Sequence, residues 1–392
     1  MLKNRNVLIV SLIAVVNALG YGIIIPILYS YSQKFGLSDF DNGLLFSLFS
    51  VSQFFSTPII GRMSDKFGRR PILVLSPLGT AISFFMAAFA PSAFILFLSR
   101  ALDGITAGNF PAAAAVISDS TDLKDRAKGF GIIGASFGFG FVFGPAIAAA
   151  TVGFGTNVPF IIAGFLSLTA AVIAYFFLPE TNEHIGEVKQ GRLFDFGKLA
   201  KAVFDKNVGP TLLITLVYSF AFGMLIYVFQ PFSVKALRLS VNEISALFTL
   251  FGAVGLVTQL FILPRVVKRL GEKKTFKLAL FLLALAFFGM FSTRNLPFFV
   301  GLSILFGLSN SFVNPLLQTI LSKETDAKSQ GSILGINSSY MSVGTIIGPI
   351  AGGTIATLGI AYPYLAGGIC ILICLALTSR ILKAGVKKES AF

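Results

Sequence analysis

Long apolar segments separated by short polar ones constrain the fold more than any other feature of this sequence. A helix needs ~20 mainly apolar residues to cross the hydrocarbon core of a bilayer. Membrane β-strands are shorter and alternate apolar with polar residues, and these segments lack that alternation. The sequence therefore predicts an all-α integral membrane protein with twelve transmembrane helices. The predicted spans are 7–30, 43–61, 71–90, 93–117, 128–150, 157–178, 208–232, 243–263, 275–292, 297–318, 333–357 and 361–382.

The composition supports a lipid environment. Of the 392 residues, 55% are hydrophobic and only 12% are charged, whereas a soluble domain averages ~25% charged residues. The sequence contains no Gly-x4-Gly-Lys-Ser/Thr phosphate loop, so an ATP-driven pump in this chain is not expected. Cys370 and Cys374 are interpreted as small apolar side chains on one helix face, and His184 has no zinc-site spacing around it. No metal and no cofactor is predicted.

The basic residues fall on one side of the predicted spans. With the N-terminus placed in the cytoplasm, 26 of the 31 Lys and Arg residues lie in cytoplasmic segments and 4 lie outside. An excess of Lys and Arg is typical of cytoplasmic loops. Both termini are therefore predicted to be cytoplasmic, in a multi-pass protein of the cell (inner or cytoplasmic) membrane. The net charge of +14 follows from this topology, and no nucleic-acid partner is predicted.

The two halves of the chain repeat each other. Residues 118–149 align with residues 322–353 without a gap at an offset of 204. A duplicated unit with an even number of spans gives parallel repeats, an architecture found in transporters. The sequence predicts an N-terminal six-helix bundle at 1–180, a cytoplasmic linker at 181–206 and a C-terminal six-helix bundle at 207–392.

Three motifs carry a family resemblance. They are Gly61-Arg-Met-Ser-Asp65-Lys-Phe-Gly68-Arg69-Arg70, Leu98-Ser-Arg100-Ala-Leu-Asp103-Gly104 and Gly140-Phe-Val-Phe-Gly144-Pro145. They resemble the loop, fourth-span and fifth-span signatures of the major facilitator superfamily, and the stretch 100–145 is most similar to its drug/proton antiporter branch. The resemblance implies the twelve-helix major facilitator fold and efflux of tetracycline-like or multidrug substrates.

Asp103 is the one acid that lies clearly inside a predicted span, with Arg100 one turn away on the same face. An ionisable residue in hydrocarbon is costly and marks a functional site by default. We expect Asp103, Arg100 and the nearby Asn17 to line a cavity and take part in proton coupling. The alternative is a fixed structural ion pair. Drug antiporters of this branch often carry an acid near the position of Asn17, so a single-acid antiporter, a uniporter and another coupling ion stay open.

Two further groups are expected to serve conformational change. A cytoplasmic gate is predicted from charges and glycines around two cytoplasmic turns, with a solvated loop as the alternative. A bent, glycine-rich helix is predicted in each half, with ordinary tight packing as the alternative. The gate residues are Gly61, Asp65, Gly68, Arg69, Arg70, Asp119 and Arg126, and the bend residues are Gly140, Gly144, Pro145, Gly344, Gly348 and Pro349.

Polar residues inside the spans are candidates for substrate contacts, although each could instead join helices through hydrogen bonds. With 43 Phe in the chain, the cavity is expected to be aromatic and weakly polar. Such a cavity suits amphipathic molecules better than sugars, whose hydroxyls need many polar partners. The candidates are Tyr21, Tyr227, Gln230, Asn310, Asn314, Gln318, Asn337 and Tyr340.

The sequence thus predicts a secondary transporter and not an enzyme. It would export a small amphipathic, drug-like compound by proton antiport, through rocker-type alternating access. Its expected partners are the substrate, protons and the lipid bilayer, and a monomer suffices for this mechanism. The alternatives are a sugar or amino-acid transporter of the same fold, a facilitator without proton coupling, and a membrane sensor that no longer transports.

Overall fold

The computed structural model describes residues 5–121, 123–183, 185–186, 196–325 and 329–381. Within these ranges every regular element is a helix. The helices are α1 (Arg5–Ile24), α2 (Leu28–Ser32), α3 (Asp39–Phe67), α4 (Arg69–Ala88), α5 (Ala93–Thr106), α6 (Phe110–Ser120), α7 (Leu123–Thr151), α8 (Val158–Phe177), α9 (Phe196–Ala202), α10 (Gly209–Lys235), α11 (Val241–Val257), α12 (Leu263–Leu270), α13 (Glu272–Ser292), α14 (Leu296–Glu324), α15 (Gln330–Ala356) and α16 (Tyr362–Leu377).

Nine helical segments of the described chain are long and apolar enough to cross a membrane. Shorter apolar helices at Gly138–Phe154 and Tyr362–Leu377 account for the fifth and twelfth spans. The remaining span, the fourth, consists of α5 and α6 joined by a 3-10 turn. Lipid offers no partner to a free backbone N–H or C=O, which is why apolar sequence of this length folds as helix. The predicted all-helical class with twelve spans is confirmed.

Three spans are interrupted close to a proline, which has no N–H to donate to the preceding turn, although other prolines lie inside continuous helices. The first span was predicted as one segment over 7–30, but α1 ends at Ile24 and Pro26 precedes the short α2. The fourth span breaks at Ala107–Asn109, directly before Pro111. The eighth span contains a π-helical turn at Thr258–Ile262, directly before Pro264. In the fourth span, Pro111 has no N–H to donate to the carbonyl oxygen of Ala107, four residues before it.

The described parts of Met1–Ser38, Leu48–Phe194 and Ser240–Thr249 form the first of two compact units. In this unit α1 packs along α7 and α8, and α4 packs along α8 and α5. The backbones of α1 and α7 meet where Gly140 lies against Ala18 and Gly144 lies against Gly22. A Cβ atom at Gly144 would lie 2.7 Å from the Cα of Gly22, so a larger residue cannot fit without separating the two helices.

The second unit comprises the described parts of Asp39–Ser47, Asp195–Leu239 and Leu250–Phe392. Its most extensive helix pair is α10 with α15, and α13 packs against α14 and α16. Gly344 lies against Ser219, and a Cβ atom at Gly348 would lie 2.9 Å from the Cα of Gly223. The glycines predicted to permit bending therefore sit, in each unit, where one helix crosses another at close range. Pro145 and Pro349 lie inside α7 and α15.

Candidate functional site

The centre of the candidate site is a buried ion pair on α5. Arg100 Nη1 donates to Asp103 Oδ2 at 2.6 Å, and the two side chains are only 4% and 7% exposed. The three-residue spacing places both side chains on one face of the helix. Two opposite charges that lie this close stabilise each other, which offsets part of the cost of removing them from water.

Arg100 has a second partner that the sequence did not indicate. Its guanidinium carbon lies 4.7 Å from the ring centroid of Phe49, on α3. A cation over an aromatic face is attracted by the ring quadrupole, more strongly where water is excluded. Phe49 also packs against Tyr21, with 5.6 Å between the ring centroids. Nothing in the sequence distinguishes Phe49 from the other 42 phenylalanines, so only the fold could reveal this contact.

A small cavity of about 20 Å³ lies beside the ion pair. Asn17 and Tyr21 come from α1, so the structure brings together three residues that the sequence singled out, these two and Asp103. Thr80 on α4 was missed, because a lone threonine in an apolar span carries no distinctive pattern. The cavity is lined by Asn17, Tyr21, Phe49, Thr80, Asp103 and Ala107.

Side-chain hydrogen bonds join the helices that surround the cavity. Asn17 Nδ2 donates to Asn109 Oδ1 at 3.1 Å, which ties α1 to the 3-10 turn that interrupts the fourth span. The hydroxyl of the lining residue Thr80 lies 2.8 Å from that of Thr106. Gln53 donates to the carbonyl oxygen of Ala107 at 3.1 Å and so supplies a partner that the broken helix lacks. The turn is therefore stabilised by side chains from two other helices.

The predicted gate residues of the first unit form a second cluster. The Asp65 carboxylate pairs with Arg69, and the same arginine approaches Asp119 at 3.5 Å. Arg70 donates to the carbonyl oxygen of Tyr175 at 2.7 Å. These contacts connect the loop between the second and third spans to the ends of α6 and α8. Gly61 lies farther along α3, against Pro111, and the side chain of Arg126 lies outside the described residues.

Glu180 joins this cluster, and the sequence did not indicate it. Its Oε1 accepts the backbone N–H of Arg69 at 2.9 Å, and its Oε2 accepts that of Arg70 at 3.0 Å. These are the first two residues of α4, whose N–H groups have no partner inside the helix. Oε1 also accepts the backbone N–H groups of Thr181 and Asn182, each at 2.9 Å. Glu180 therefore caps α4 from a position 111 residues away along the chain.

These contacts also determine the direction in which the pKa of Glu180 shifts. Burial by itself raises the pKa of Glu180, but the four backbone N–H donors outweigh burial and hold the pKa below its ordinary value. Gly68, just before α4, has a φ of +100°, a conformation that favours glycine. A Cβ atom there would overlap the Glu180 carboxylate. The backbone conformation thus favours glycine at this position of the loop motif, and a larger residue would also displace the capping carboxylate.

The polar candidates of the second unit are spread over α10, α14 and α15. Tyr227 donates to the carbonyl oxygen of Asp39 at 2.7 Å, and Tyr340 donates to that of Leu199 at 2.8 Å. Asn310 accepts from Tyr218 at 2.6 Å, and Asn337 accepts from Thr215 at 2.7 Å. Gln230 is fully buried. Asn314 is half-buried, and Gln318 is exposed.

Comparison with known proteins assigns the family. A family model described as Major Facilitator Superfamily matches residues 10–229 and 211–392. The chain is 32% identical to multidrug resistance protein 2 of Bacillus subtilis, over 92% of this chain and 91% of that one. It is 30% identical to the class B tetracycline resistance protein of Escherichia coli, over 99% of this chain and 100% of that one.

A solved structure agrees with this assignment at the level of the fold. The crystal structure of the human organic anion transporter MFSD10 superposes with a TM-score of 0.71 at 23% identity, over 95% of this chain and 99% of that one. The motifs at 61–70, 98–104 and 140–145 thus predicted the family correctly. This chain belongs to the Major Facilitator Superfamily, the family of its relatives that are named as multidrug and tetracycline resistance proteins.

Proposed function

We propose that this protein exports small amphipathic, drug-like compounds from the cell by proton antiport, with Asp103 as the group that binds the proton. The observation that carries this proposal is the buried Arg100–Asp103 pair beside a polar cavity. The names of the relatives support the substrate class, since they include multidrug, tetracycline and quinolone resistance proteins.

Asp103 can exist in two states that differ in their effect on Arg100. As a carboxylate it neutralises the arginine and accepts its hydrogen bond. When Asp103 takes up a proton, Arg100 loses its counter-charge, while its contact with the Phe49 ring does not depend on the charge of Asp103. Such a change of charge in a buried network can shift the balance between two conformations. We propose that it biases rocker-type alternating access, the transport mechanism that the sequence predicts.

The same proposal includes the location, the orientation, the gate and the monomeric state that the sequence predicts. The protein acts in the cell membrane with both termini in the cytoplasm, where the motif loop at 61–70 forms part of a gate. The ion pairs of Arg69 and the cap provided by Glu180 support this role, since they hold that loop against neighbouring helices. A monomer contains every residue that the mechanism uses.

Proteoliposomes with an imposed pH gradient test the proposal. A fluorescent lipophilic cation serves as substrate, and its uptake into inside-acidic vesicles is compared for wild type, Asp103→Asn and Asp103→Glu. We expect Asp103→Asn to lose gradient-driven transport by about 10²-fold or more, as for loss of a proton-transfer group. Asp103→Glu should retain measurable transport because it still binds a proton. Gradient-driven transport by Asp103→Asn at the wild-type rate would contradict the proposal.

A facilitator without proton coupling is the second candidate. Asn17, which cannot carry a proton, lies in the same cavity as Asp103, so the site has one acid and not two. A facilitator would move the dye down its own concentration gradient at equal rates with and without the pH gradient. The same vesicles therefore distinguish the two candidates.

A further inference from the structure

The cavity beside Asp103 is too small for an organic substrate. Its volume is about 20 Å³, whereas sites for drug-sized ligands occupy ~300–1,000 Å³. A buried water needs about 10–15 Å³ and two to four polar partners. Four of the six lining residues are polar, namely Asn17, Tyr21, Thr80 and Asp103. The volume and the lining together fit one water molecule.

The hydrogen bonds around the cavity leave acceptors free on its walls. Thr106 has two carbonyl oxygens within reach, those of Leu102 and Asp103 at 3.1 and 3.2 Å, and donates its single hydroxyl hydrogen there. Whichever hydroxyl donates in the 2.8 Å contact with Thr106, the Thr80 oxygen has two lone pairs and so keeps the capacity to accept a further hydrogen bond. Asn17 donates through Nδ2 to Asn109, which leaves its carbonyl oxygen as an acceptor.

Asp103 supplies a third acceptor. Arg100 binds Oδ2, so the carboxylate retains capacity to accept from a group in the cavity. Three acceptors match the three O–H donors of a hydronium ion, and two of them suffice for a neutral water.

We propose that this cavity binds a single water that delivers the proton to Asp103 and receives it back, with Thr80 and Asn17 as positioning residues. In the loading step, an O–H bond of a hydronium ion in the cavity breaks and an O–H bond to the Asp103 carboxylate forms, which leaves neutral water. Release reverses the step, and the protons come from the aqueous phase. The inference rests on the proposed role of Asp103.

Two threonine variants form a matched pair for the test. Thr80→Val and Thr106→Val are both isosteric, and both remove the hydrogen bond between these hydroxyls. Only Thr80 lines the cavity. An effect of Thr80→Val that Thr106→Val lacks therefore belongs to the cavity and not to the lost bond.

Infrared difference spectroscopy on the purified protein in lipid, recorded across a pH titration, detects the water. We expect an O–H stretching band that shifts in H₂¹⁸O, changes together with a carboxyl C=O band, and is absent in Asp103→Asn. Thr80→Val should lose the water band and slow gradient-driven dye transport about tenfold, the effect of one lost hydrogen bond of ~1.4 kcal/mol. Thr106→Val should keep the band and transport faster than Thr80→Val.

Equal spectra and equal transport for the two threonine variants would overturn the water site. So would the lack of any ¹⁸O-sensitive band that distinguishes wild type from Asp103→Asn, a comparison that needs neither threonine variant to fold. The proposed antiport fails by a different result, wild-type gradient-driven transport in Asp103→Asn. The two failures are therefore distinguishable.

Discussion

Removing the carboxylate of Glu180 should weaken the first unit at the end that carries the motif loop at 61–70. The side chain accepts four backbone N–H bonds, two of them from the first residues of α4. Loss of a helix N-cap acceptor costs ~0.5–2 kcal/mol, and a negative charge at a helix N-terminus contributes a further ~0.3–1 kcal/mol. We therefore expect Glu180→Ala to lower the free energy of unfolding by about 1–3 kcal/mol.

Thermal unfolding followed by circular dichroism of the purified protein measures this effect. Glu183→Ala is the matched control, because Glu183 is an exposed glutamate three residues away in the same segment. Glu180→Ala should lower the Tm by about 2–8 °C relative to that control. Glu180→Gln should lower it less, since the amide oxygen still accepts although the charge is lost. Equal Tm values for Glu180→Ala and Glu183→Ala would refute the capping role.

The effect should depend on pH with a defined sign. Because the folded-state pKa of Glu180 lies below its ordinary value, ionised Glu180 stabilises the folded protein. That contribution is complete above the unfolded-state pKa of ~4.3 and disappears as the pH falls through the lower folded-state value. The difference in Tm between wild type and Glu180→Gln should therefore be constant near neutral pH and shrink below about pH 4.

The other predictions concern packing around the ion pair and between helices. Phe49→Leu removes the aromatic ring that contacts Arg100. This variant should slow gradient-driven transport about 2- to 30-fold, since such contacts contribute ~0.5–2 kcal/mol. Phe55→Leu, at a half-exposed position on the same helix, is the control. Equal rates for these two variants would contradict a role for the ring. Gly348→Ala should lower the Tm and the yield of folded protein because overpacking costs ~1–3 kcal/mol, whereas Gly301→Ala, where a Cβ meets no neighbour, should not. A normal melt for Gly348→Ala would show that α10 and α15 can separate at little cost.

Much of the fold could be predicted because the bilayer imposes a local rule. Every backbone polar group in lipid needs a partner, so each apolar segment of sufficient length becomes a helix regardless of its neighbours. The main departures came from proline. The spans predicted at 7–30 and 93–117 are each interrupted in the structure, close to Pro26 and Pro111. A count of apolar residues does not take into account that proline lacks a backbone N–H. The missing donor nevertheless disrupts the hydrogen-bond pattern of the helix.

The family motifs predicted only part of the candidate functional site. Asp103 and Arg100 stand three residues apart on one helix, so their pairing follows from helix geometry alone. Asn17 and Tyr21 both lie in the predicted first span, and the structure brings them to the same cavity. The polar candidates of the second unit stay predictions, and several of them already serve hydrogen bonds within the protein.

The sequence by itself determined the membrane class, the helical spans, the duplication and the family, because each depends on composition or on spacing along a single helix or loop. Only the tertiary structure decided which distant residues complete the site. Phe49 beneath Arg100, Thr80 on the cavity wall and Glu180 on the end of α4 each act on another helix. Periodicity in a sequence reports the direction a side chain takes from its own helix. It does not report the partner on the neighbouring helix, which packing alone selects.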